Sequence, residues 1–433
     1  MNRIGIREED MYAWERRVPI VPSDAAALRD EGIDLVVQRS SKRAFSEEEY
    51  RRAGVPVVEN LRGCDRILGL KELPVDAIAS DTLYVLFSHT IKGQAHNMPM
   101  LARLIERGCT LIDYERIVDD AGRRLIFFGN YAGLAGMIDA LWALGRRLSE
   151  EGIDSPFAAV RRALDYPDLK AAEAAVREVG AALVSDGLPE EMSPLLIGIA
   201  GYGNVSRGAQ EILGLLPVRQ LSPEALLAGE APALVDRHTV GAVVFREEHT
   251  VEPRADGAAF HLEQFFADPR DYRSTFERYL PHLDVLMNCI YWTPDAPRLV
   301  TKSWARGVGA SRRLRVIGDI SCDVEGAVEI TLKATEPDDP VYVYDAARDC
   351  AIPGVAGDGP VVLAVEILPS ELPREASTFF SEILTRFVPS IASASLEGEL
   401  ESSGLSRELQ RATIVYRGAL SPPYRHLEGH LPT

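Results

Sequence analysis

Short apolar runs alternate with segments of helical periodicity over the first 130 residues. Apolar residues recur at helical spacing in three segments, residues 23–30, 46–53 and 98–108. Ser46 and Glu49 predict a capping box at the second of these helices. Runs rich in β-branched or aromatic residues predict strands around them, at residues 3–6, 35–38, 66–70, 83–87 and 110–112. This alternation favours an α/β fold with a largely parallel sheet.

A glycine-rich turn follows a strongly apolar run in the middle of the chain. Residues 195–200 are typical of a strand buried on both faces. The run is followed by Gly201-Tyr-Gly203-Asn-Val-Ser206 and then by apolar residues at helical spacing. Strand, turn and helix in this order predict a dinucleotide-binding crossover, in which Gly201 allows the tight turn. Gly203 lets the backbone approach a pyrophosphate at the helix N-terminus.

The third glycine of the usual fingerprint is replaced by Ser206, and Gly208 follows two residues later. A motif of this kind also occurs in ordinary turns, so the flanking strand and helix carry the prediction. We expect Asn204 and Val205 to complete the phosphate-binding turn.

The remaining pattern indicates two α/β domains of Rossmann type with largely parallel sheets, facing each other across a cleft. The predicted elements are helices at 130–150, 169–179 and 375–388 and strands at 242–245, 285–288 and 315–320. Gly133 and Gly136 near the start of the first helix allow close packing. We expect a dinucleotide-binding domain at 130–339, a substrate-binding domain at 1–129 plus about 340–400, and a C-terminal tail at 401–433. The Pro-rich end of this tail, which begins Ser421-Pro-Pro, is expected to be loosely held.

Composition excludes several classes of partner. Hydrophobic residues make up 46% of the 433 residues and charged residues 26%, as in ordinary globular proteins. The formal net charge of −18 argues against nucleic acid and anionic membranes as partners. Five scattered cysteines, with no apolar signal core and no spanning segment, predict a reduced, cytoplasmic protein. No metal site is predicted, and the sequence leaves an oligomer possible.

Polar side chains follow four of the predicted N-terminal strands. These residues are Arg7 and Glu8, Lys71 and Glu72, Ser88 and His89, and Asp113 and Glu115. Ligands of open α/β sheets bind outside the carboxyl ends of the strands, so we expect these groups to converge on one crevice. For any single residue the alternative is a polar group in a solvated loop, or a histidine that only closes a strand.

Several separated motifs resemble the lysine-forming saccharopine dehydrogenases. They lie at residues 66–74, 87–94, 122–136, 287–292, 318–323 and 372–380. Trp-Glu-Arg-Arg at 14–17, the stretch 201–210 and an insert at 246–281 are similar to the lysine–ketoglutarate reductase half of the animal and plant bifunctional enzyme. Alanine dehydrogenase and transhydrogenase are more distant relatives of the same fold.

The resemblance implies a reductive condensation of L-lysine with 2-oxoglutarate to saccharopine, or its reverse. In that family a lysine and a histidine form the acid–base pair, and the matching positions are Lys71 and His89. The positions that match the family's acid-binding groups are Arg17, Lys92 and Arg124, with Arg16 and Arg123 as alternates. Fungal members carry an additional lysine in the first loop, where this chain has Glu-Glu-Asp-Met-Tyr at 8–12.

The sequence does not decide the roles of two acidic residues that follow the predicted strand at 110–112. Asp113 and Glu115 could hold a substrate ammonium or orient a base, and they could equally form a structural ion pair.

The predicted cofactor is NADPH or NADP⁺, with NAD as the alternative. An NAD-selective site places Asp or Glu at the end of the second strand, and residues 217–222 contain no acid but do contain Arg219. Glu224 lies close enough in sequence to leave NAD open. We expect the nicotinamide end of the site to contain Cys289, Ile290, Tyr291, Asp319 and Asp323, with Cys289 as a small buried residue and not a nucleophile.

Two other classes of function remain. One is a related oxidoreductase that uses another amine, such as an alanine-dehydrogenase-like or opine-forming enzyme. The other is an inactive nucleotide sensor of the same fold, whose mark would be the loss of Lys71 or His89. Both residues are present.

Overall fold

The computed structural model describes residues 2–307 and 313–432 of the chain. It contains two compact units. The first unit consists of Met1–Phe128 and Pro373–Thr433, and the second of Gly129–Leu372.

The strands and α-helices follow the alternation expected from the sequence. The strands are β1 (Ile4–Ile6), β2 (Leu35–Gln38), β3 (Val57–Val58), β4 (Arg66–Leu68), β5 (Leu83–Leu86), β6 (Thr110–Asp113), β7 (Leu195–Ala200), β8 (Val218–Leu221), β9 (Val240–Phe245), β10 (Val251–Pro253), β11 (Tyr272–Ser274), β12 (Val285–Asn288), β13 (Val316–Asp319), β14 (Val341–Asp345), β15 (Cys350–Pro353), β16 (Val361–Leu363), β17 (Thr413–Tyr416) and β18 (Ala419–Leu420). The helices are α1 (Pro22–Asp30), α2 (Glu47–Arg52), α3 (Met98–Glu106), α4 (Gly129–Glu150), α5 (Leu169–Ser185), α6 (Asn204–Leu213), α7 (Pro223–Leu227), α8 (Ala231–Leu234), α9 (Glu247–Thr250), α10 (Leu262–Ala267), α11 (Lys302–Gly307), α12 (Pro373–Leu384), α13 (Val388–Ser393) and α14 (Arg407–Arg411).

The first unit is built on a sheet with the strand order β18-β17-β6-β5-β4-β1-β2-β3. The strands from β6 to β3 are parallel, and β17 pairs with β6 in the antiparallel direction. Its strands are short apolar runs with both faces covered, as expected for a parallel sheet. The predicted capping box is present at α2, where the Ser46 hydroxyl accepts from the Glu49 amide.

The C-terminal tail is part of this unit, and the prediction that its Pro-rich end is loosely held is wrong. Strand β17 extends the sheet at β6, and Leu409, Ile414 and Leu427 are fully buried. Apolar burial of these side chains fixes the segment, although its Pro-Pro dipeptide at 422–423 is typical of a loose end.

The second unit contains a sheet with the order β15-β14-β16-β13-β12-β7-β9-β8. The strands from β16 to β8 are parallel, whereas β14 and β15 form an antiparallel hairpin at one edge. The predicted boundary near residue 340 is wrong, because β16 pairs with β13 and brings residues 340–372 into this unit.

Helices α4 and α6 touch through two glycines. A Cβ added at Gly133 would overlap with the carbonyl oxygen of Val205, and one added at Gly208 would overlap with that of Asn130. The close contact expected near the start of α4 is therefore present. It fixes the first turn of α6, which follows the glycine-rich turn.

The insert at 246–281 has its own small sheet, in which β10 pairs with β11. Its aromatic side chains pack on one another, since the rings of Phe265 and Tyr272 meet edge to face at 5.3 Å between centroids. Among the residues that the structure describes, no helix has both the length and the apolar character needed to cross a membrane.

Candidate functional site

In the first unit, β6, β5, β4 and β1 are neighbours in the sheet and run in the same direction. Their carboxyl ends therefore lie at one edge, where the loops that follow carry the predicted polar groups. The structure connects these loops through buried carboxylates, each of which receives hydrogen bonds from a neighbouring loop.

Glu9 organises the loop after β4. Its two carboxylate oxygens accept hydrogen bonds from the amides of Leu70 at 2.7 Å and Lys71 at 3.0 Å. The guanidinium of Arg7 donates to the same carboxylate at 3.1 Å. Burial raises the pKa of Glu9, and the charge of Arg7 opposes that shift. Glu9 had no predicted role, since a glutamate three residues past the end of a strand gives no signal of burial in the sequence.

Lys71 lies half-buried between an aromatic ring and a carboxylate. Its Nζ is 5.2 Å from the ring centroid of Tyr12, a cation–π distance. Burial alone would raise the pKa of Glu15, but the ion pair with Arg17 and the charge of Lys71 hold it below its usual value. The ammonium group is therefore placed by the same first loop that carries Glu9.

His89 is held by a buried glutamate from the neighbouring loop. Its Nδ1 lies 2.5 Å from Glu72 Oε1, and the Asn97 side chain donates to the His89 carbonyl at 3.2 Å. Burial would raise the pKa of Glu72, but its hydrogen bond and attraction to His89 lower it overall. The backbone of His89 has φ +47°, an uncommon conformation for this residue type. With Nδ1 engaged, Nε2 is the ring nitrogen that can exchange a proton with a ligand.

Asp113 joins the ends of β5 and β6. Its carboxylate accepts from the amide of Ser88 at 3.0 Å, from the Ser88 hydroxyl, and from the amide of Glu115 at 2.7 Å. Burial raises the pKa of Asp113. Glu115 pairs with Arg124 at 3.7 Å. The contacts of Asp113 are thus hydrogen bonds from Ser88 and Glu115, whereas Glu115 forms an ion pair with Arg124.

The predicted cations differ in how tightly they are held. Arg17 is buried, donates to Glu15 at 2.8 and 2.5 Å, and lies 4.2 Å above the Phe128 ring. Its alternate Arg16 is exposed. Arg124 and Lys92 are also exposed. Arg123, the alternate of Arg124, is committed to Asp119 at 2.7 Å.

In the second unit, the turn after β7 has the geometry of a phosphate cradle. Gly201 has φ +102°, and an added Cβ would lie 2.9 Å from the carbonyl oxygen of Cys289. At Gly203 an added Cβ would meet no described atom within 4 Å, and no side chain caps the start of α6. The first amides of α6 are thus available to an anion, and the residues present fit the pyrophosphate of a dinucleotide.

The members of the turn do not all face its surface. Asn204 is exposed and Val205 half-buried, whereas Ser206 is fully buried. The hydroxyl of Ser206 accepts from the Gln210 side chain at 2.9 Å. Ser206 therefore occupies the packing position of the third glycine and does not line the open side of the turn.

The strand order contradicts the role expected for Arg219. Strand β7 lies between β12 and β9, and β8, which carries Arg219, lies beyond β9 at the edge of the sheet. Arg219 is level with Gly241 and hence with Leu196, four residues before the end of β7 at Ala200. At about 3.3 Å per residue, that is about 13 Å from the glycine-rich turn along the strand. The expectation for Arg219 assumed that the strand that follows β7 in the chain is also its neighbour in the sheet.

Of the five residues predicted for the nicotinamide end, three are buried or packed against the glycine-rich turn and two are exposed. Ile290 lies against Gly201, and burial raises the pKa of the Cys289 thiol, consistent with a small core residue. Tyr291 and Asp323 are exposed. Asp319 is fully buried, and its carboxylate accepts from three side chains, those of Asn288, Ser321 and Thr331, at 2.6–2.9 Å. The Asp319 carboxylate therefore links the carboxyl end of β13 to that of β12 through Asn288. Burial raises the pKa of Asp319.

Comparison with solved structures defines the class of protein. An L-alanine dehydrogenase matches with a TM-score of 0.64 and 20% identity, over 99% of this chain and 100% of that chain. A transhydrogenase from Sinorhizobium meliloti matches with a TM-score of 0.55 and 14% identity. The family alanine dehydrogenase/PNT, N-terminal domain, matches residues 5–135. The chain thus has the two-domain α/β fold of the alanine dehydrogenase class.

Sequence relatives define the family within that class. Saccharopine dehydrogenase (NAD(+), L-lysine-forming) of Neurospora crassa is 30% identical over 88% of this chain and 89% of its own length. The chain belongs to the saccharopine dehydrogenase family, which is a family of oxidoreductases. The dehydrogenase names of its members imply a nicotinamide coenzyme.

The chain is also similar to part of two longer proteins. Alpha-aminoadipic semialdehyde synthase of Arabidopsis thaliana is 36% identical over 98% of this chain, and the match spans 41% of that protein. The mitochondrial protein of that name from Rattus norvegicus is 32% identical, and the match spans 47% of it. The chain therefore spans less than half the length of these relatives.

Proposed function

We propose that this protein reduces the imine formed between the ε-amine of L-lysine and the keto group of 2-oxoglutarate, giving saccharopine, or catalyses the reverse reaction. When bound, a reduced nicotinamide supplies the hydride. The names of the relatives and the site of the first unit both support this reaction. The proposed binding partners are therefore lysine, 2-oxoglutarate and saccharopine.

In the forward direction, Lys71 acts as a neutral amine, and its Nζ accepts a proton from the ε-ammonium of lysine. The amine of the substrate that this releases attacks the keto carbon. His89 Nε2 donates a proton to the hydroxyl of the carbinolamine, so that this oxygen leaves as water. Lys71 returns a proton to the nitrogen when the imine carbon is reduced. General acid–base catalysis of this kind contributes about 10²–10⁴-fold to a rate.

The carboxylates of the substrates require cations in a protein that is strongly acidic overall. Arg17 is the preorganised one, since Glu15 and the Phe128 ring fix its guanidinium. Arg124 and Lys92 are exposed and can adjust to a ligand. We assign all three to carboxylate binding, with bidentate contacts from the arginines.

One observation carries the proposal most strongly. Lys71 and His89 follow neighbouring strands, and a buried glutamate holds each of their loops, Glu9 at the Lys71 amide and Glu72 at the imidazole. A lysine and a histidine in ordinary solvated loops would not require two buried carboxylates from neighbouring segments. This arrangement is what preorganised proton transfer needs.

The test is turnover with a panel of amines. NADPH consumption is measured with 2-oxoglutarate and lysine, ornithine or ammonia, and the product is identified by mass spectrometry. We expect lysine to give saccharopine with the highest kcat/KM, and saccharopine with NADP⁺ to regenerate both substrates. A higher kcat/KM with ammonia would contradict the proposal and favour an alanine-dehydrogenase-like reaction.

A further inference from the structure

The strand that neighbours β7 ends beside the glycine-rich turn. Strand β9 pairs with β7 in parallel from Leu195 to Ala200, and the Gly201 amide donates to the Phe245 carbonyl at 2.9 Å. Arg246 is the next residue of the chain. In a dinucleotide-binding sheet, the residue at this strand end is the one that meets the adenosine ribose at its 2′ position.

Arg246 is positioned by contacts on both sides. Its guanidinium carbon lies 4.7 Å from the ring centroid of Tyr202, inside the glycine-rich turn. Its backbone amide donates to His249 Nδ1 at 2.9 Å, at the start of α9. Both side chains of the stack are exposed, and within residues 2–307 and 313–432 the Arg246 guanidinium forms no ion pair.

A guanidinium stacked on an aromatic ring keeps its N–H edge for an anion. Stacking uses the flat face of the group, whereas all its donors lie in the plane and match two oxygens of a phosphate. The 2′-phosphate of NADPH and NADP⁺ is such an anion, and NADH lacks it. The overall charge of −18 means that a phosphate must be recognised by a local cation of this kind.

A carboxylate next in sequence offers the opposite chemistry. Glu247 is half-buried and could accept a hydrogen bond from a ribose 2′-hydroxyl, which would favour NADH. One of its oxygens, Oε2, is buried and has no hydrogen-bond partner among the described residues. Burial and, after it, the neighbouring charge of Glu247 raise the pKa of Tyr202.

We propose that Arg246, stacked on Tyr202, binds the 2′-phosphate of NADPH and gives this protein its coenzyme preference. The inference rests on the nicotinamide coenzyme of the proposed function but not on the identity of the amine or the keto acid. It replaces Arg219, which lies too far from the turn along an outer strand.

The test measures nucleotide binding without any substrate. Calorimetric titration of the full chain with 2′,5′-ADP and with 5′-ADP isolates the contribution of the 2′-phosphate, and NADPH and NADH are titrated by fluorescence. We expect Arg246→Ala to weaken 2′,5′-ADP and NADPH by about 10- to 100-fold, the size of a charged hydrogen-bond loss. Binding of 5′-ADP and NADH should change by less than about threefold.

Matched variants make the result specific. Arg273→Ala removes an exposed arginine from the same insert, where it pairs with Glu252, and should leave both Kd ratios unchanged. Arg246→Lys should retain part of the preference for 2′,5′-ADP over 5′-ADP. The positive charge remains, but the planar guanidinium that can donate to two phosphate oxygens is lost. Thermal unfolding of each variant confirms that the fold is intact.

Three results would overturn the inference. The first is equal affinity of the unchanged protein for 2′,5′-ADP and 5′-ADP. The second is an equal loss of both in Arg246→Ala. The third is loss of the preference in Arg219→Ala while Arg246→Ala keeps it.

Two further outcomes separate the inference from the proposed function. Failure to bind any of the four nucleotides would overturn both the inference and the proposed coenzyme. Selective binding with no turnover of lysine would support the inference and contradict only the proposed reaction.

Discussion

Buried carboxylates hold the polar loops of the candidate site in place by accepting hydrogen bonds from them. Glu9, Glu72 and Asp113 each accept hydrogen bonds from a neighbouring loop, and all three are nearly inaccessible to water. The types and positions of Lys71 and His89 were available from the sequence. The supporting roles of Glu9 and Glu72 were not identified, although Asp113 was considered as a group that orients a base. Burial of a carboxylate depends on contacts between segments far apart in the chain.

Lys71→Met should lower kcat by about 10²–10⁴-fold, because the acid–base group is lost while the aliphatic stem is kept. NADPH binding should stay within about threefold, since no residue of the phosphate-binding turn changes. Steady-state kinetics and fluorescence titration measure the two effects. Lys170→Met, at an exposed position of α5, is the matched control. Parallel loss of turnover and NADPH affinity would argue against the acid–base role.

At the scale of elements, the sequence predicted which segments form strands and helices better than how the strands are ordered. Strands β2, β7 and β12 begin and end where the apolar runs predicted. The order β7-β9-β8 was not predicted. An apolar pattern indicates that a strand is buried, but it does not indicate which strand pairs with it. That error placed the expected coenzyme contact at Arg219, whereas the order of the strands favours Arg246, as we propose.

The contact between α4 and α6 depends on Gly133. A Cβ at this position would overlap with the Val205 carbonyl, so Gly133→Ala should force the helices apart and lower the free energy of unfolding by about 1–3 kcal/mol. Chemical denaturation measures the change. Gly129→Ala in the same helix is the control, because its Cβ would meet Asn204 at an ordinary 3.5 Å. Equal stabilities for the two variants would contradict the close contact.

At the scale of the whole molecule, two units of comparable architecture carry different chemistry. The first holds Lys71, His89 and the cations that we propose to bind carboxylates, and the second holds the turn that we propose to bind the phosphates of a dinucleotide. The sequence predicted both folds from their alternation of strands and helices. It could not place residues 340–372, since an antiparallel hairpin at a sheet edge has the same local pattern in either unit.

The second unit also contains a carboxyl pair that makes its stability depend on pH. Asp139 and Glu371 are buried, and Asp139 accepts from the Ala163 amide at 2.7 Å. Burial raises the pKa of Asp139 to about 6, and burial together with the neighbouring Asp139 raises that of Glu371 well above its usual value. The folded protein therefore holds protons that the unfolded chain releases from about pH 4 upward.

The contribution of this pair to stability should fall as pH rises from about 4 through 6, because each of these carboxyls has a higher pKa in the folded state than in the unfolded state. In Glu371→Gln the amide can donate to Asp139 without having a proton to release. We expect its free energy of unfolding, measured by denaturation at several pH values, to decline less steeply than that of the unchanged protein. Identical slopes would show that the pair does not retain a proton in the folded state.

The central claim is that Lys71 and His89 act on the nitrogen-bearing carbon and its substituents in one bound substrate. A crystal structure of the protein with saccharopine and NADP⁺ tests it most directly. The account predicts Lys71 Nζ within hydrogen-bond distance of the secondary amine, His89 Nε2 directed to the same reacting centre, and Arg17 on a substrate carboxylate. Saccharopine bound with its amine distant from both Lys71 and His89 would contradict the account.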